Sequence, residues 1–201
     1  MPKNIGYLTS RKCPESDLCF TPQFVASAIA RYISPKTYTH SKGRNTHVLC
    51  PFDKDEHAFP VVFRKLGHKV TNTHYDPETG EGRDFFSYTR EEMKGLEIDC
   101  IVTNPAFSLK DKVLEHCEEL GVPYALLLPL PTLQGQSRFD KVFSKGHTQV
   151  LIFNSRVPYS TKEKHWSSMS GNHFASIFIC KGILPEKLIF DHLEITEDDG
   201  Y

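Results

Sequence analysis

Apolar residues recur along this chain in two alternating rhythms. Short apolar runs bounded by turn residues predict buried strands at Thr46–Cys50, Lys69–Thr73, Ile98–Thr103, Pro123–Leu128, Gln149–Phe153 and Phe174–Cys180. Between them, apolar positions spaced by three and four predict helices. Phe24, Val25, Ala28, Ile29 and Tyr32 mark a helix opened by Thr21-Pro22 and closed before Ser34-Pro35. Phe59, Val62, Phe63 and Leu66 mark a second, capped by Asp53 or Asp55 and ending at Gly67. Thr89-Arg90-Glu91-Glu92 has the form of a capping box for a short helix. Val113, Leu114, Cys117 and Leu120 mark another helix, N-capped at Ser108 and closed by Gly121. A last helix is expected near Ser137 to Lys145.

Strands alternating with helices from Thr46 to Phe153 predict a mostly parallel, doubly wound α/β sheet. Pro123 to Leu128 is apolar throughout, as a strand covered on both faces must be. The strand at Phe174 follows a loop with no crossover helix, so it is expected to be antiparallel. The 201 residues are expected to form one domain (1–201), with an N-terminal arm over 1–18, a long loop over 155–173 and a frayed acidic tail over 194–201.

Ordinary composition leaves this picture intact. Hydrophobic residues are 39% and charged residues 24%. Lys and Arg total 24 against 25 Asp and Glu, a net charge of −1, which argues against a sequence-blind electrostatic nucleic-acid binder. No apolar run reaches the roughly 20 residues of a membrane helix, and the N-terminus has no secretory core, so a cytoplasmic protein without membrane contact is expected. Cys50, Cys100 and Cys180 fall in apolar runs and there is no Cys-x-x-Cys pair, so free thiols are expected and no metal site.

The candidate chemistry gathers where the strands end. The strand at Ile98–Thr103 stops at Asn104-Pro105-Ala106-Phe107, where Pro105 restricts Asn104 and forces a turn. This leaves an amide, a carbonyl and an aromatic ring at the carboxyl edge of the sheet, the edge at which ligands of open α/β sheets bind. Pro51-Phe52-Asp53 turns the chain at the first strand. Asp76 follows the second strand, inside a turn-like Asp76-Pro77-Glu78-Thr79-Gly80. Asp84-Phe85-Phe86 supplies an acid beside rings, or else a short edge strand. The loop from Ser155 to His173 interleaves Arg156, Tyr159, Lys162, His165, Trp166 and His173, a mixture suited to phosphates and a stacked base.

Taken in order, these segments resemble a known family. Asn104-Pro105-Ala106-Phe107 is similar to the Asn/Asp-Pro-Pro-Tyr/Phe signature of S-adenosylmethionine-dependent amino-methyltransferases. Phe20-Thr21-Pro22, Cys50-Pro51-Phe52-Asp53, Asp84-Phe85-Phe86 and Phe174-Ala175-Ser176 extend the likeness, closest to small adenine methyltransferase-like proteins of phages and prophages, from about Cys19 to Phe190. The resemblance implies a Rossmann-like class I methyltransferase fold, and the cytoplasm of the host if the protein is phage-encoded. It implies methylation of the adenine N6 amine in DNA, with Asn104, Pro105 and Phe107 catalytic. It implies that Phe20, Thr21, Pro22, Pro51, Asp53, Asp76, Asp84, Phe85 and Asn104 hold S-adenosylmethionine. Arg156, Tyr159, Lys162, Trp166 and His173 are then expected to meet the nucleic acid. An RNA adenine, a protein glutamine amide, or a catalytically weak or inactive binding protein on the same fold are the alternatives. The chain departs from the family in two places: Ala106 replaces the second proline, and the turn after the first strand has no glycine.

Overall fold

The computed structural model describes residues 20–33, 45–76, 78–160, 165, 167 and 174–196. The expected 1–18 arm lies outside them, as do Cys13, Cys19, Lys162, Trp166, His173 and the end of the acidic tail.

Among the described residues, seven strands form one sheet: β1 (His47–Pro51), β2 (Lys69–Thr73), β3 (Cys100–Thr103), β4 (Tyr124–Pro129), β5 (Gln149–Phe153), β6 (Ser176–Lys181) and β7 (Leu188–Asp191). Their spatial order is β2-β1-β3-β4-β6-β5-β7. Every pairing is parallel except those of β6, which runs antiparallel to both β4 and β5. The expected mostly parallel sheet with an antiparallel strand near the C-terminus is therefore present. β7 was not legible as a strand, because its burial alternates with exposed Leu188 and Phe190.

Among the described residues, five helices accompany the sheet: α1 (Gln23–Ala30), α2 (Ala58–Lys65), α3 (Arg90–Gly95), α4 (Lys110–Leu120) and α5 (Gln136–Lys141). On one face, Phe24, Ile29, Phe59 and Phe63 of α1 and α2 pack with Val48, Val102 and Leu127. On the other, Met93, Leu114 and Cys117 of α3 and α4 pack with Leu49, Ile101 and Leu126. Successive β4 residues thus feed opposite cores, Ala125 and Leu127 one, Tyr124, Leu126 and Leu128 the other. This is why β4 reads as an unbroken apolar run. Each fully buried Leu or Phe contributes about 1.5–3 kcal/mol by leaving water.

Three expected caps are not made. Pro22, not Thr21, occupies the N-cap position of α1, and His57 that of α2, neither through a side-chain hydrogen bond. Ser108 lies inside a 3-10 turn, Phe107–Leu109, and Leu109 precedes α4. Thr21 instead accepts from Asn104, and Asp53 instead meets Thr103. The Thr89–Glu92 capping box does form, with Glu92 N–H on Thr89 Oγ1 at 3.2 Å and Thr89 N–H on Glu92 Oε2 at 2.9 Å. Gly121 closes α4 at φ 69, where its N–H bonds the Cys117 carbonyl. Asp84-Phe85-Phe86 forms no strand: Phe85–Ser87 is a 3-10 turn capped by Asp84.

Cys50, Cys100, Cys117 and Cys180 are buried free thiols, and burial raises each above its ordinary pKa. Among the described residues, no helix is long and apolar enough to cross a membrane.

Candidate functional site

The carboxyl ends of β1, β2, β3 and β4 open on one edge of the sheet. β1, β2 and β3 end level, so the turns that carry Asp53 and Asn104 are neighbours although far apart in sequence, while β4 runs on past Leu126, the partner of Thr103, to Pro129.

Thr103 closes β3 and is fully buried. Its hydroxyl is 2.6 Å from the Pro51 carbonyl and 2.9 Å from Asp53 Oδ2. A hydroxyl carries one proton, and the shorter contact claims it. Asp53 is itself buried, and desolvation raises its carboxyl pKa against the opposing influences of His57 and Thr103. In the neutral form that burial favours, Asp53 Oδ2–H would donate to Thr103 Oγ1, which donates to Pro51 O. His57 Nδ1 accepts the Lys54 N–H at 3.2 Å and lies 3.4 Å from Asp53 Oδ1, a contact that works against burial by lowering the carboxyl pKa. Asp53 is thus a strut between β1 and β3, and not the helix cap expected for it.

Asn104 follows Thr103. Its Nδ2–H donates to Thr21 Oγ1 at 3.1 Å, which brings the segment before α1 onto the turn after β3. Asn104 Oδ1 is enclosed away from solvent. Phe20 exchanges both backbone hydrogen bonds with Ser160, at 2.8 and 2.9 Å, and its ring meets His57 edge-on at 5.5 Å. Phe20 and Thr21 therefore tie three things together: the β1 turn, the β3 turn and the start of the long loop.

Pro105 is buried, and Phe107 is half-buried. The Phe107 ring meets Phe174 edge-on at 5.3 Å and Tyr159 at 6.3 Å. Tyr159, expected to meet the substrate from the long loop, is 1% exposed, and its hydroxyl donates to Ser176 Oγ at 2.8 Å. It supports the Phe107 ring from behind. Arg156 is exposed on the same connection.

The glycine-free turn after β1 has a specific geometry. Phe52 adopts φ 70, a left-handed conformation that a β-carbon makes costly. Its N–H bonds the Thr73 carbonyl at 2.6 Å, and His74 Nδ1–H donates to the Phe52 carbonyl at 3.1 Å. The Phe52 ring meets Phe85 at 5.4 Å and Phe86 at 6.3 Å. Phe52 thus takes up the backbone shape usually left to glycine, held by one backbone hydrogen bond, one from the His74 side chain, and two rings.

Of the remaining expected residues, Phe85 is buried against His116 at 4.9 Å, leaving the half-buried Phe52 and Phe86 as the rings nearer the surface. Asp84 Oδ1 accepts the Phe86 N–H at 3.0 Å. Asp76 Oδ1 accepts the Glu78 N–H at 2.8 Å, which lowers its carboxyl pKa and makes it a turn residue. Phe52, His57, Thr103 and Phe174 were missed as site residues. Thr103 ends the strand before the motif, and Phe174 heads a segment of the family likeness, so both carried a signal. His57 carried none.

No protein-family model matches this chain, and no curated protein sequence does. Among solved structures it is similar to a modification subunit of a putative type I restriction enzyme from Vibrio vulnificus YJ016. The identity is 12% and the TM-score 0.49, over 90% of this chain and 48% of the other. The chain spans about half the length of that protein.

Proposed function

We propose that this protein is an S-adenosylmethionine-dependent methyltransferase acting on the exocyclic N6 amine of adenine in DNA. The observation that carries the reading is the Asn104-Pro105 turn at the carboxyl edge of β3, with the Asn104 amide oriented by Thr21. The family likeness of the flanking segments supports it.

The residues present suit such a cofactor. Phe52 and Phe86 offer ring surface for an adenine, and Asp84 Oδ2 lies beside the carboxylate oxygen that caps Phe86. Thr73 Oγ1, at the end of β2, is buried with no hydrogen-bond partner among the described residues, a polar atom suited to a ligand. S-Adenosylmethionine supplies an electrophilic methyl group on a sulfonium, needing no metal.

An exocyclic amine is a poor nucleophile because its lone pair is delocalised into the ring. Asn104 Oδ1 and the Pro105 carbonyl each accept one amine N–H and turn the lone pair outward. The same two oxygens would favour the positive charge that grows on nitrogen as the N–CH3 bond forms and the S–CH3 bond of the sulfonium breaks, releasing S-adenosylhomocysteine as a neutral thioether. The extra amine proton then leaves to solvent. Phe107, braced by Phe174 and Tyr159, stacks on the target base, which must leave a duplex to reach it. Asn104 Oδ1 is enclosed in this conformation, so the groups over it must move before the amine enters.

The test is transfer of labelled methyl from S-adenosylmethionine to DNA, RNA and protein pools in parallel. Label in adenine of DNA, lost in Asn104→Ala, is expected. Label in RNA adenine or protein glutamine would move the substrate class, and label in none would reject the enzyme reading.

A further inference from the structure

β7 forms one end of the sheet, and its outer edge has no partner strand among the described residues. The Val150 N–H bonds the Lys187 carbonyl at 2.8 Å and the Asn154 N–H bonds the Asp191 carbonyl at 3.0 Å. Polar backbone groups alternate sides along a strand, so Lys187, Ile189 and Asp191 face β5 with their backbone, while Leu188 and Phe190 direct N–H and C=O outward. The side chains of Leu188 and Phe190 are 49% and 72% exposed, and they adjoin the half-buried Val150 and Ile152 on the same face. Proteins ordinarily protect such an edge with charge, proline or a covering element.

We propose that this edge is an interface for a second copy of the chain, with β7 pairing antiparallel to its own symmetry mate across a two-fold axis at Ile189. The segment is self-complementary. Read against itself in reverse, Lys187-Leu188-Ile189-Phe190-Asp191 sets Lys187 opposite Asp191, Leu188 opposite Phe190 and Ile189 opposite Ile189. The outward backbone groups belong to Leu188 and Phe190, the residues that this register makes hydrogen-bonded pairs. Ile189 then becomes the non-hydrogen-bonded pair on the axis. The outward backbone groups of Leu188 and Phe190 gain partners, the two apolar bands join on one face, and Lys187 of each copy faces Asp191, whose carboxylate already holds Arg31 and Tyr32 of its own chain. A shift of register by one residue would aim inward-facing backbone at the mate and lose all of this. The pairing is isologous, so it closes at a dimer and does not extend into a filament.

Sedimentation or light scattering of the full-length chain over a concentration series tests the proposal. The wild-type protein should pass from monomer to dimer. Phe190→Lys, at an exposed position that leaves the core alone, should weaken the dimer at least about 10-fold by charge and lost apolar contact. Ile189→Cys should form an intermolecular disulfide on mild oxidation that the wild-type chain does not. Opposed residues of a non-hydrogen-bonded pair have Cα atoms about 4.5 Å apart, within disulfide reach. A wild-type chain that stays monomeric throughout overturns the proposal. So does a dimer that Phe190→Lys leaves unchanged and Ile189→Cys does not cross-link.

Discussion

Thr21 and Asn104, 83 residues apart, are joined by a hydrogen bond of 3.1 Å from the Asn104 amide to the Thr21 hydroxyl. With its nitrogen on Thr21, the carboxamide directs its oxygen away from that hydroxyl. Thr21 is therefore a positioning residue for Asn104, whatever else it touches.

Thr21→Val removes the acceptor and keeps the shape. We expect methyl transfer to fall roughly fivefold, the equivalent of about 1 kcal/mol for one hydrogen bond. The loss should lie in kcat, with affinity for S-adenosylmethionine little changed, and Thr21→Ser should restore it. A loss confined to cofactor affinity, measured by calorimetry, would assign Thr21 to the cofactor instead.

Asn104→Ala removes an acceptor at a strand end and no core volume. Transfer should drop about 10²–10³-fold, as for other lost transition-state partners. The cost in stability should be on the order of 1 kcal/mol, for the bond to Thr21. Circular dichroism melting beside the transfer assay separates the two effects.

Ala106→Pro tests the departure from the family signature. Ala106 has φ −52, inside the range proline imposes, and no hydrogen bond from its N–H is found among the described residues. Proline there should stabilise by roughly 0.4–1 kcal/mol through the unfolded chain. Turnover should hold or rise, because Pro105 regains the restriction of a following proline. A fall in melting temperature would show that the turn cannot take the ring.

Asp53→Asn tests the neutral strut. Burial raises the Asp53 pKa in the folded chain. A raised carboxyl contributes stability that is full below the unfolded value of about 3.9 and is lost as pH climbs through the folded value. Asparagine keeps an N–H donor for Thr103 Oγ1 at every pH. The melting temperature of Asp53→Asn relative to wild type should therefore be higher at pH 8 than at pH 4. A difference that is constant with pH, or that reverses, would mean the carboxylate is ionised in place.

Much of this architecture was legible as pattern. The continuous run at Tyr124–Pro129, the alternating strand and helix periods and the Thr89–Glu92 box are local, since burial on two faces and capping both leave a mark within a few residues. The Asn104-Pro105 turn was legible for the same reason, because proline acts on its own neighbour. Other facts belong to tertiary structure alone. Asp53 reads as a cap until Thr103 is brought beside it, and burial there raises its carboxyl pKa. Tyr159 reads as a loop aromatic until it is packed behind Phe107. Phe52 reads as an ordinary turn residue, yet holds φ 70 because Thr73, His74 and two rings converge on it. The order of β6 between β4 and β5, and the open edge of β7, follow from which strands find each other. Spacing along a chain records local preference. Charge state, strain and strand partners depend on groups that only folding brings within a few ångströms.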